Sequence, residues 1–398
     1  MSNPNKTPTL RFTGFPDPWE QRKLSEIGEV ITGSTPSTQH PEYYSEDGIP
    51  WVTPTDITEN VVSDTPRKLS SLGAKVGRVV PAETILVTCI ASIGKNTMLA
   101  NTGSFNQQIN GLVPNKQKFD PYFLLTESYH WSVKMKREAA AGTMQIVNKN
   151  EFSAIETFVP GLPEQRAIGN YFRDIDNLIT LHERKLEKLI LIKKSMLEKM
   201  FPREGSDVPE IRFSGFTAPW EHRKLGDIFE EYSEKDHPEL PALTIIQGGG
   251  TIRRDESDRS LQYDKSSLAN YKMVNEGDFI VHLRSFEGGL EMATTLGIIS
   301  PAYHTFHGEG SDSRFYYSYF RSPKFIDQDL KPHVYGIRDG RSIDIEGMKT
   351  IEIPWTSFDE QKAIGDFIDS LDNLITLHQR KLEKLKTLKK SMLEKMFV

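Results

Sequence analysis

Few residues in this chain of 398 occur in spacings that catalysis requires. Residues 92–96 (SIGKN) keep only the tail of a phosphate-binding loop. Residues 248–250 are three glycines without G-x-G-x-x-G spacing, a pattern that favours a flexible turn. Residues 304–307 (HTFH) offer two possible metal ligands, but nothing in the sequence completes a ligand set around them. We therefore predict no metal site, no cofactor in this chain and no enzymatic activity.

Amide, guanidinium and hydroxyl side chains in loops offer a different chemistry, which is hydrogen bonding to nucleic-acid bases. Asn and Gln can bond adenine, Arg can bond guanine, and Ser or Thr can contact bases or phosphates. The candidates in the first half of the chain are mostly amides and hydroxyls: Thr35, Ser37, Thr53, Thr55, Lys95, Asn106, Gln107, Gln108, Gln145 and Asn148. Those in the second half are richer in arginine: Gln247, Arg253, Arg254, Arg284, His307, Tyr335, Arg338 and Arg341. Any one of them could instead be a solvated loop residue, but the two sets together predict two surfaces that read different sequences.

The segments that would position these residues occur twice. Residues 10–15 (LRFTGF) are echoed by residues 211–216 (IRFSGF), and both copies continue through Pro-Trp-Glu and Arg-Lys-Leu. Residues 176–201 and 372–397 are identical at 22 of 26 positions. The sequences between these echoes diverge almost completely. Internal repetition of this kind indicates a shared scaffold that carries two different functional parts.

The repeats divide the chain into four segments. Two variable domains, residues 1–160 and 202–357, alternate with two repeated segments, residues 161–201 and 358–398. Short apolar runs bounded by turn residues alternate with helical spacing in both variable domains, which is typical of the α+β class. We therefore predict two mixed domains of strands and helices, each followed by one long helix.

Both repeated segments carry apolar residues in alternating steps of three and four. This 3.5-residue period, filled in with good helix formers, is typical of a coiled-coil seam. We expect the two helices to pair antiparallel, which gives a pseudo-twofold arrangement with one variable domain at each end. The alternative is that each helix packs only on its own domain. The predicted seam residues are Ile175, Ile179, His182, Leu186, Leu189, Leu371, Ile375, His378, Leu382 and Leu385.

Some residues on and beside this seam predict further contacts. His182 and His378 lie near the helix midpoints, and we hypothesise that they approach each other and help to fix the register. Lys193 and Lys389 would extend from the edge of the seam toward solvent. The residues that widen the apolar face could contact a helix of another subunit; these are Leu181, Ile190, Leu191 and Leu197.

Composition limits the class of protein. Hydrophobic residues make up 37% of the chain, charged residues 26%, and the net charge is −6. No run approaches the roughly 20 apolar residues of a membrane span, and the first 20 residues lack the apolar region of a secretory signal. Cys89 is the single cysteine, so no intrachain disulfide forms. These features predict a globular cytoplasmic protein without a membrane partner and exclude a strongly basic chain, though not local basic patches.

The order and duplication of these segments resemble the specificity (S) subunit of type I restriction-modification systems, over essentially the whole chain. The second variable domain departs from the pattern because it lacks the Thr-Pro-Ser turn and the Asn-Gln-Gln cluster of the first. The motifs that carry the resemblance are residues 10–24 with their second copy, 33–37 (GSTPS), 49–52 (IPWV), 105–109 (FNQQI), 162–168 (LPEQRAI) and 359–364 (DEQKAI).

The resemblance implies a non-catalytic subunit with two target-recognition domains, which binds a bipartite, asymmetric sequence in double-stranded DNA. It also implies two modification subunits, which bind S-adenosylmethionine and methylate adenine, and two restriction subunits, which use ATP and Mg²⁺. The length of the paired helices would then set the spacer between the two half-sequences. A different class remains as the alternative, an intramolecular coiled-coil adaptor whose two variable domains bind proteins or sugars.

Overall fold

A computed structural model describes residues 7–140, 146–203, 205–256, 265–282, 284–336 and 342–398. The chain folds into two compact units. Unit 1 comprises Met1–Arg184 and Arg380–Val398, and unit 2 comprises Lys185–Gln379. Both units mix strands and helices, and two long helices end the two halves of the sequence, so the predicted α+β class is confirmed. The unit boundaries fall inside the long helices, and each unit therefore contains part of both.

Unit 1 contains two five-stranded sheets and a separate strand pair. The sheet orders are β3-β6-β4-β10-β7 and β2-β11-β8-β9-β5, and β1 pairs with β12. The strands are β1 Glu20–Lys23, β2 Gly28–Thr32, β3 Tyr44–Ser45, β4 Ile49–Val52, β5 Val61–Val62, β6 Lys68–Leu69, β7 Val79–Val80, β8 Ile85–Thr88, β9 Asn96–Leu99, β10 Gly103–Phe105, β11 Ile109–Pro114 and β12 Glu156–Val159. The helices are α1 Leu24–Ile27, α2 Ser71–Val76, α3 Pro121–Ala140, α4 Lys149–Ala154 and the first part of α5 Leu162–Lys199.

Strand β8 separates two hydrophobic cores of unit 1. Its side chains alternate between faces, as the two-residue period of a strand requires. Ile85 and Val87 lie in the core that also contains Phe123 of α3. Leu86 points into the other core, together with Phe105 and neighbouring apolar residues. All four residues of β8 are buried, which agrees with its sequence of three consecutive apolar residues followed by Thr88, rather than alternating apolar and polar residues.

Unit 2 is built around a four-stranded sheet of order β14-β21-β18-β19. The strands of unit 2, including those outside this sheet, are β13 Glu221–Lys224, β14 Glu230–Tyr232, β15 Leu243–Ile246, β16 Gly250–Arg253, β17 Lys272–Val274, β18 Phe279–Val281, β19 Glu291–Met292, β20 Gly297–Ile299, β21 His304–His307, β22 Val334–Tyr335, β23 Ser342–Ile343 and β24 Glu352–Trp355. Its helices are α6 Leu225–Ile228, α7 Ser285–Gly288, α8 Ser313–Phe320, α9 Ile345–Lys349 and the first part of α10 Phe358–Met396.

Aromatic side chains dominate the core of unit 2. Phe229 contacts Phe279 at a centroid separation of 5.2 Å and Tyr316 at 5.0 Å, both edge to face. Phe320 packs against Phe279 at 4.9 Å. Each of these rings is almost completely buried. Because helix α8 supplies Tyr316 and Phe320, and strand β18 supplies Phe279, this cluster joins the helix to the sheet.

The repeated opening segment binds the first turn of a long helix in each unit. Arg11 donates Nε to Oε1 of Glu164 at 2.6 Å and Nη2 to Oε2 at 2.7 Å. Arg212 makes the same two bonds to Glu360, at 2.6 and 2.7 Å. Both carboxylates are nearly inaccessible to solvent. A two-pronged charged pair of this kind fixes orientation as well as position, so its duplication explains the repeated Arg-Phe near the start of each half.

The second part of the same repeat forms an identical strand pair in each unit. Strand β1 runs antiparallel to β12, with Glu20 opposite Val159 and Lys23 opposite Glu156. Strand β13 runs antiparallel to β24, with Glu221 opposite Trp355. The paired strands β12 and β24 immediately precede the long helices α5 and α10. The repeated sequence Glu-x-Arg-Lys therefore forms the strand that pairs with the residues before each long helix and fixes the start of that helix in its unit.

The two long helices run antiparallel within each unit. In unit 1, Phe172 contacts Phe397, whereas Glu183, further along α5, pairs with Lys386, earlier in α10. In unit 2, Met200, which directly follows α5, lies in the same core as Ile364, near the start of α10. Residue numbers therefore increase along one helix in the direction in which they decrease along the other. The predicted antiparallel pairing is confirmed in both units.

The burial pattern agrees with the predicted seam. Ile175 and Leu371 are buried, and the remaining eight predicted seam residues are half-buried. By contrast, Leu181 is 46% and Leu191 67% exposed, as expected for residues beside the seam. Leu197 differs from this expectation because it packs against the core of unit 2. The predicted approach of the seam histidines to one another stays a prediction.

A duplicated ion pair interrupts the apolar seam. Lys193 binds Asp372 at 2.6 Å in unit 2, and Lys389 binds Asp176 at 2.6 Å in unit 1. Both lysines are partly exposed at the seam edge, and each also binds an aspartate, which the sequence did not predict. In unit 1, Tyr122 of α3 also donates to Asp176, at 2.9 Å. Burial, reinforced by the charge of Asp176, raises the pKa of Tyr122.

Each unit is closed by the end of a repeated helix segment. In unit 1, Phe397 is 6% exposed and packs on Trp19 and Phe123, with centroids 6.0 and 5.6 Å away. In unit 2, Phe201 occupies the corresponding sequence position and packs on Trp220 at 5.9 Å. The tryptophans are those of the repeated Pro-Trp-Glu. In each unit, the repeated opening segment therefore contacts the end of a repeated helical segment.

Removing the Phe397 ring tests this closure. We expect Phe397→Ala to lower the free energy of unfolding of unit 1 by about 3–5 kcal/mol, since it leaves a cavity between buried aromatic rings. The adjacent Val398 is 39% exposed, and Val398→Ala should change stability by no more than about 0.5 kcal/mol. Urea unfolding of both variants measures the difference, and equal effects at the two positions would contradict the packing described.

A second prediction concerns His130, whose ring lies 5.3 Å from that of Phe397. Burial lowers the pKa of His130, but the hydrogen bond and charge of the buried Glu127 outweigh it, so the pKa lies above its ordinary value. A raised histidine pKa stabilises the fold fully below the unfolded-state pKa of about 6.5, and this contribution is lost as pH rises through the folded-state pKa. The stability advantage of the parent over His130→Gln should therefore shrink as the pH rises above about 6.5.

Urea unfolding across that pH range measures the difference in free energy of unfolding between the parent and His130→Gln. Glu127→Gln is the matched control, because it removes the carboxylate that raises the pKa and should remove the same pH dependence. An advantage that grows with pH would show that His130 is stabilised in its neutral form instead.

Candidate nucleic-acid interface

In unit 1, backbone hydrogen bonds hold the turn of residues 33–37 against the start of strand β11. The amide of Gly33 donates to the carbonyl of Ile109 at 3.0 Å, and that of Ser34 donates to Phe105 at 2.9 Å. Trp51 donates its indole Nε1 to the Ser34 carbonyl at 3.0 Å. The buried tryptophan of strand β4 thus fixes the turn from a third side.

This turn carries several of the predicted reading residues. Thr35 donates its hydroxyl to the side-chain carbonyl of Gln107, and Ser37 is exposed two residues further along. Asn106 is only 7% exposed, and its amide donates to Gln108 Oε1 at 3.1 Å. Asn106 therefore orients Gln108 rather than reaching outward. The structure brings Thr35, Ser37, Gln107 and Gln108 together on one surface.

The predicted residues Thr53, Thr55 and Lys95 form the neighbouring part of this surface. Asn106 donates its backbone amide to Val52 at 3.0 Å, so the turn after β4 lies beside the glutamines. The Thr53 hydroxyl donates to Asp56 at 2.6 Å and also lies 2.8 Å from that of Thr55. Lys95 donates to the carbonyl of Pro54 at 3.0 Å. These contacts pre-order the turn and leave Thr55 and Lys95 exposed.

Two arginines on the same surface were not identified from the sequence. Arg67 lies over the ring of Tyr44, 5.3 Å from its centroid. The backbone amide of Arg78 donates to Ser34 Oγ at 3.0 Å, and its guanidinium donates to the carbonyl of Thr32. Both arginines are exposed. Neither lies in a turn motif, so only their nearness in the fold to residues 33–37 reveals them; they add positive charge to an amide-rich surface.

Asn148 has a structural role that the sequence did not reveal. Its side-chain oxygen accepts hydrogen bonds from the amides of Asn150 at 2.9 Å and Glu151 at 3.0 Å, and it thereby caps helix α4. Glu151 in turn accepts from the Asn148 amide, which completes a capping box. Gln145 lies outside the described residues.

In unit 2, Gln247 lies at the tip of the β15–β16 hairpin. Its side chain packs against Gly288 in α7, where a Cβ atom would come within 2.5 Å of Gln247 Nε2. Arg284 precedes the same helix, and its side chain is 71% exposed, with Glu287 at 3.7 Å. The structure therefore brings Gln247 and Arg284 to opposite ends of one helical turn. Their amide and guanidinium groups form a surface unlike that of unit 1.

The other predicted residues of unit 2 have varied surroundings. Arg253 pairs with Asp255 at 3.1 Å. Arg254 stacks on Tyr271, 5.7 Å from the ring centroid. Tyr335 is 59% exposed on the hairpin formed by β22 and β23. Two of the predicted residues, Arg338 and Arg341, lie outside the described residues.

The two histidines of strand β21 do not converge on one site. His307 hydrogen-bonds the buried carboxylate of Asp278 at 2.6 Å, whereas His304 bonds Glu231 at 2.7 Å. Among the described residues, no group of three or more histidine, cysteine or carboxylate side chains could hold a metal ion. The Asp278 bond fixes the His307 imidazole and leaves the side chain 56% exposed.

Comparison with known proteins adds to these findings. Residues 16–190 and 218–387 match the family model described as type I restriction modification DNA specificity domain. The HindI specificity subunit of a type I restriction enzyme from Haemophilus influenzae is 32% identical over 150 residues, which cover 36% of this chain and 32% of that protein. The putative MjaX specificity subunit from Methanocaldococcus jannaschii is 24% identical over 417 residues, which cover 95% and 92%.

A further relative and one solved structure are similar to this chain as well. The MjaIX specificity subunit of M. jannaschii is 28% identical over 241 residues, covering 56% of this chain and 55% of that protein. The crystal structure of a type I restriction-modification S subunit from M. genitalium superposes with a TM-score of 0.62, at 13% identity, covering 98% and 99% of the two chains. The structural likeness shows a shared fold. The names of the relatives confirm the prediction of a specificity subunit rather than an enzyme.

In the described parts of the chain, no helix is both long enough and apolar enough to serve as a membrane span.

Gly33 offers a test of the turn in unit 1. A Cβ atom at Gly33 would clash with the backbone carbonyl oxygens of Asn106 and Phe105, which cannot move without breaking the sheet. We expect Gly33→Ala to lower the free energy of unfolding by about 1–3 kcal/mol. In Gly161→Ala the new methyl would meet nothing closer than 3.9 Å, and stability should change by less than about 0.5 kcal/mol. Urea unfolding compares the two, and a harmless Gly33→Ala would contradict the close approach.

Proposed function

Because the chain belongs to the type I restriction modification DNA specificity family, we propose that it recognises a bipartite, asymmetric sequence in double-stranded DNA. Each unit reads one half of that sequence. The observation that carries the proposal is the contrast within the chain: the same scaffold contacts recur in both units, while the exposed polar surfaces differ. Two different readers on a common scaffold correspond to two unlike half-sequences.

Unit 1 has the chemistry to read an adenine-containing half-sequence. Gln107 and Gln108 offer amides, which can accept from adenine N6 and donate to N7 at the same time. Their positions are fixed by Asn106 and by the turn that carries Thr35. Pre-ordered donors and acceptors lose little conformational entropy on binding, so discrimination between bases is sharper. Arg78 supplies charge for neighbouring phosphates.

Unit 2 has the chemistry to read a different half-sequence. Gln247 again offers an amide, but Arg284 offers a guanidinium, which bonds guanine O6 and N7 as a pair. His307, held by Asp278, adds a single imidazole group. Tyr335 presents an exposed ring and hydroxyl on a hairpin. We infer that this half-sequence contains guanine.

Exposed leucines on the paired helices support the recruitment of partner subunits. Leu178 and Leu181 are 44% and 46% exposed in unit 1, and the repeat places Leu374 and Leu377 at 43% and 45% in unit 2. Equivalent apolar pairs in both units favour two copies of one partner, one for each unit. We propose that these partners are the modification subunits, which hold S-adenosylmethionine, and that two restriction subunits with ATP and Mg²⁺ complete the assembly.

The net charge of −6 makes strong DNA binding by this chain alone unfavourable. Phosphate neutralisation would come largely from the modification subunits, and binding by the isolated chain should be weak and salt-sensitive. That the length of the helices sets the spacer stays a prediction, as does a cytoplasmic location.

A library of randomised duplexes tests the proposal, with the full chain assembled with type I modification subunits. The parent should enrich two half-sequences at a fixed separation. Replacing both glutamines (Gln107→Ala with Gln108→Ala) should relax only one half, by about tenfold or more in base preference, and Gln247→Ala should relax only the other. Gln117→Ala removes an exposed amide outside both surfaces and should change neither half. Enrichment of no sequence by the parent, or relaxation of the same half by both variants, would overturn the proposal.

A further inference from the structure

One carboxylate in unit 2 is buried without taking part in the scaffold contacts that the two units share. Glu291 begins strand β19, and its side chain has no exposure to solvent. Burying a charged carboxylate is costly unless it is paired and fully hydrogen-bonded. The partners of Glu291 therefore show what it stabilises.

Those partners converge from two directions. Gly248 and Gly250 donate their backbone amides to the two carboxylate oxygens, at 2.7 and 3.1 Å. Tyr317 of α8 donates its hydroxyl at 2.7 Å, and Arg321, which follows α8, donates its guanidinium. The carboxylate thus ties the β15–β16 turn to the end of helix α8. The sequence favours a flexible turn at residues 248–250, but the turn is anchored by charge-assisted hydrogen bonds.

The glycines of the turn are required by this anchoring. Gly248 and Gly250 have φ angles of +81° and +71°, which side chains rarely adopt. A Cβ atom at Gly248 would lie 2.9 Å from Arg321 Nη2, and one at Gly250 would lie 2.6 Å from the Met292 carbonyl oxygen. Only a bare backbone brings both amides to the carboxylate. The three-glycine run is thus a binding site for an internal anion.

Gln247, the residue before this run, is held on its other side by α7. Gly288 provides the space for its side chain, since any Cβ there would meet Gln247 Nε2. The bonds of Glu291 to Gly248 and Gly250 therefore fix the turn that directly follows Gln247, and α7 packs against the Gln247 side chain. Gln247 is nevertheless an exposed residue, as a residue that reads a base must be.

We propose that Glu291 is a positioning residue for DNA sequence recognition, which holds Gln247 in the orientation that reads a base. The inference rests on the proposed function, because it assigns the support of one reading group in unit 2. Glu291 itself touches no DNA. Its loss would leave the turn free to move and would change which bases are preferred rather than how much DNA is bound.

The test uses the full chain assembled with its modification subunits and the same randomised duplex library. Glu291→Gln keeps the side-chain volume but removes the charge and places an amide NH₂ among donors. We expect base preference at the Gln247-dependent position to fall by about tenfold, while preference in the half read by unit 1 changes less than twofold. Preference among bound duplexes does not depend on the fraction of folded protein, so a purely structural role would not move it.

Asp312→Asn is the matched control in the same unit. Asp312 is also buried, but it caps helix α8 and pairs with Arg314 instead of contacting the turn. The Asp312→Asn variant should leave base preference unchanged even if its melting temperature is lower than that of the parent. If Glu291→Gln does not fold, Tyr317→Phe removes one neutral donor to the same carboxylate and should weaken the same preference about two- to threefold.

The outcomes separate this inference from the proposed function. A parent that selects two half-sequences, with Glu291→Gln or Tyr317→Phe selecting them equally well, would overturn the positioning role alone. A parent that selects no sequence would overturn the proposed function and the inference with it. An equal loss of preference in Asp312→Asn would also overturn the assignment, since burial rather than contact with the turn would then be responsible.

Discussion

The antiparallel register of the two repeated helices is the constraint on which both units depend. It brings Phe397 beneath Trp19 in unit 1 and Phe201 beneath Trp220 in unit 2. The end of the second repeated segment thus completes unit 1, and the end of the first completes unit 2. The Lys–Asp pairs favour this register, because a shift by one heptad would separate Lys193 from Asp372 and Lys389 from Asp176.

The scaffold and the variable surfaces are separated in a physically simple way. The contacts that recur are made by residues of the repeats: an Arg–Glu pair, an antiparallel strand pair, and a tryptophan against a phenylalanine. Residues between the repeats supply the sheets and the exposed polar groups. Sequence can therefore change on the reading surfaces without weakening the contacts that define the fold. Unit 1 uses this freedom for a turn ordered by amide and hydroxyl bonds, and unit 2 for one ordered by a buried charge.

Much of the fold could be predicted from the sequence because the strongest signals are periodic or repeated. The seam period identified the helices, and the duplication indicated a common scaffold. The Lys–Asp pairs could not be predicted, since the register of a helix pair depends on packing of both partners at once. Lys193 and Asp372 are separated by 179 positions, and no local pattern joins them.

The reading surfaces were predictable in part. Thr35 and Gln107 are 72 residues apart, yet both were identified by side-chain chemistry, and the fold brings them into contact. Arg67 and Arg78 were missed because only the tertiary structure places them beside the Ser34 turn. Glu291 was missed for a related reason. A lone glutamate in a strand is expected to face solvent, and the glycine amides that bind Glu291 lie 41 and 43 residues earlier in the sequence.

The discontinuity of unit 1 has a consequence for biosynthesis. Unit 2 is one unbroken stretch, Lys185–Gln379, whereas unit 1 needs Arg380–Val398 in addition to its first 184 residues. A ribosome delivers the chain from its N-terminus, so residues 1–184 must wait for residues 380–398 before the core of unit 1 can close. During that interval Trp19 and Phe123 lack the ring that covers them, and the growing chain exposes an apolar surface that a chaperone could bind. Translation thus supplies every residue of unit 2 before it supplies residues 380–398, which unit 1 needs.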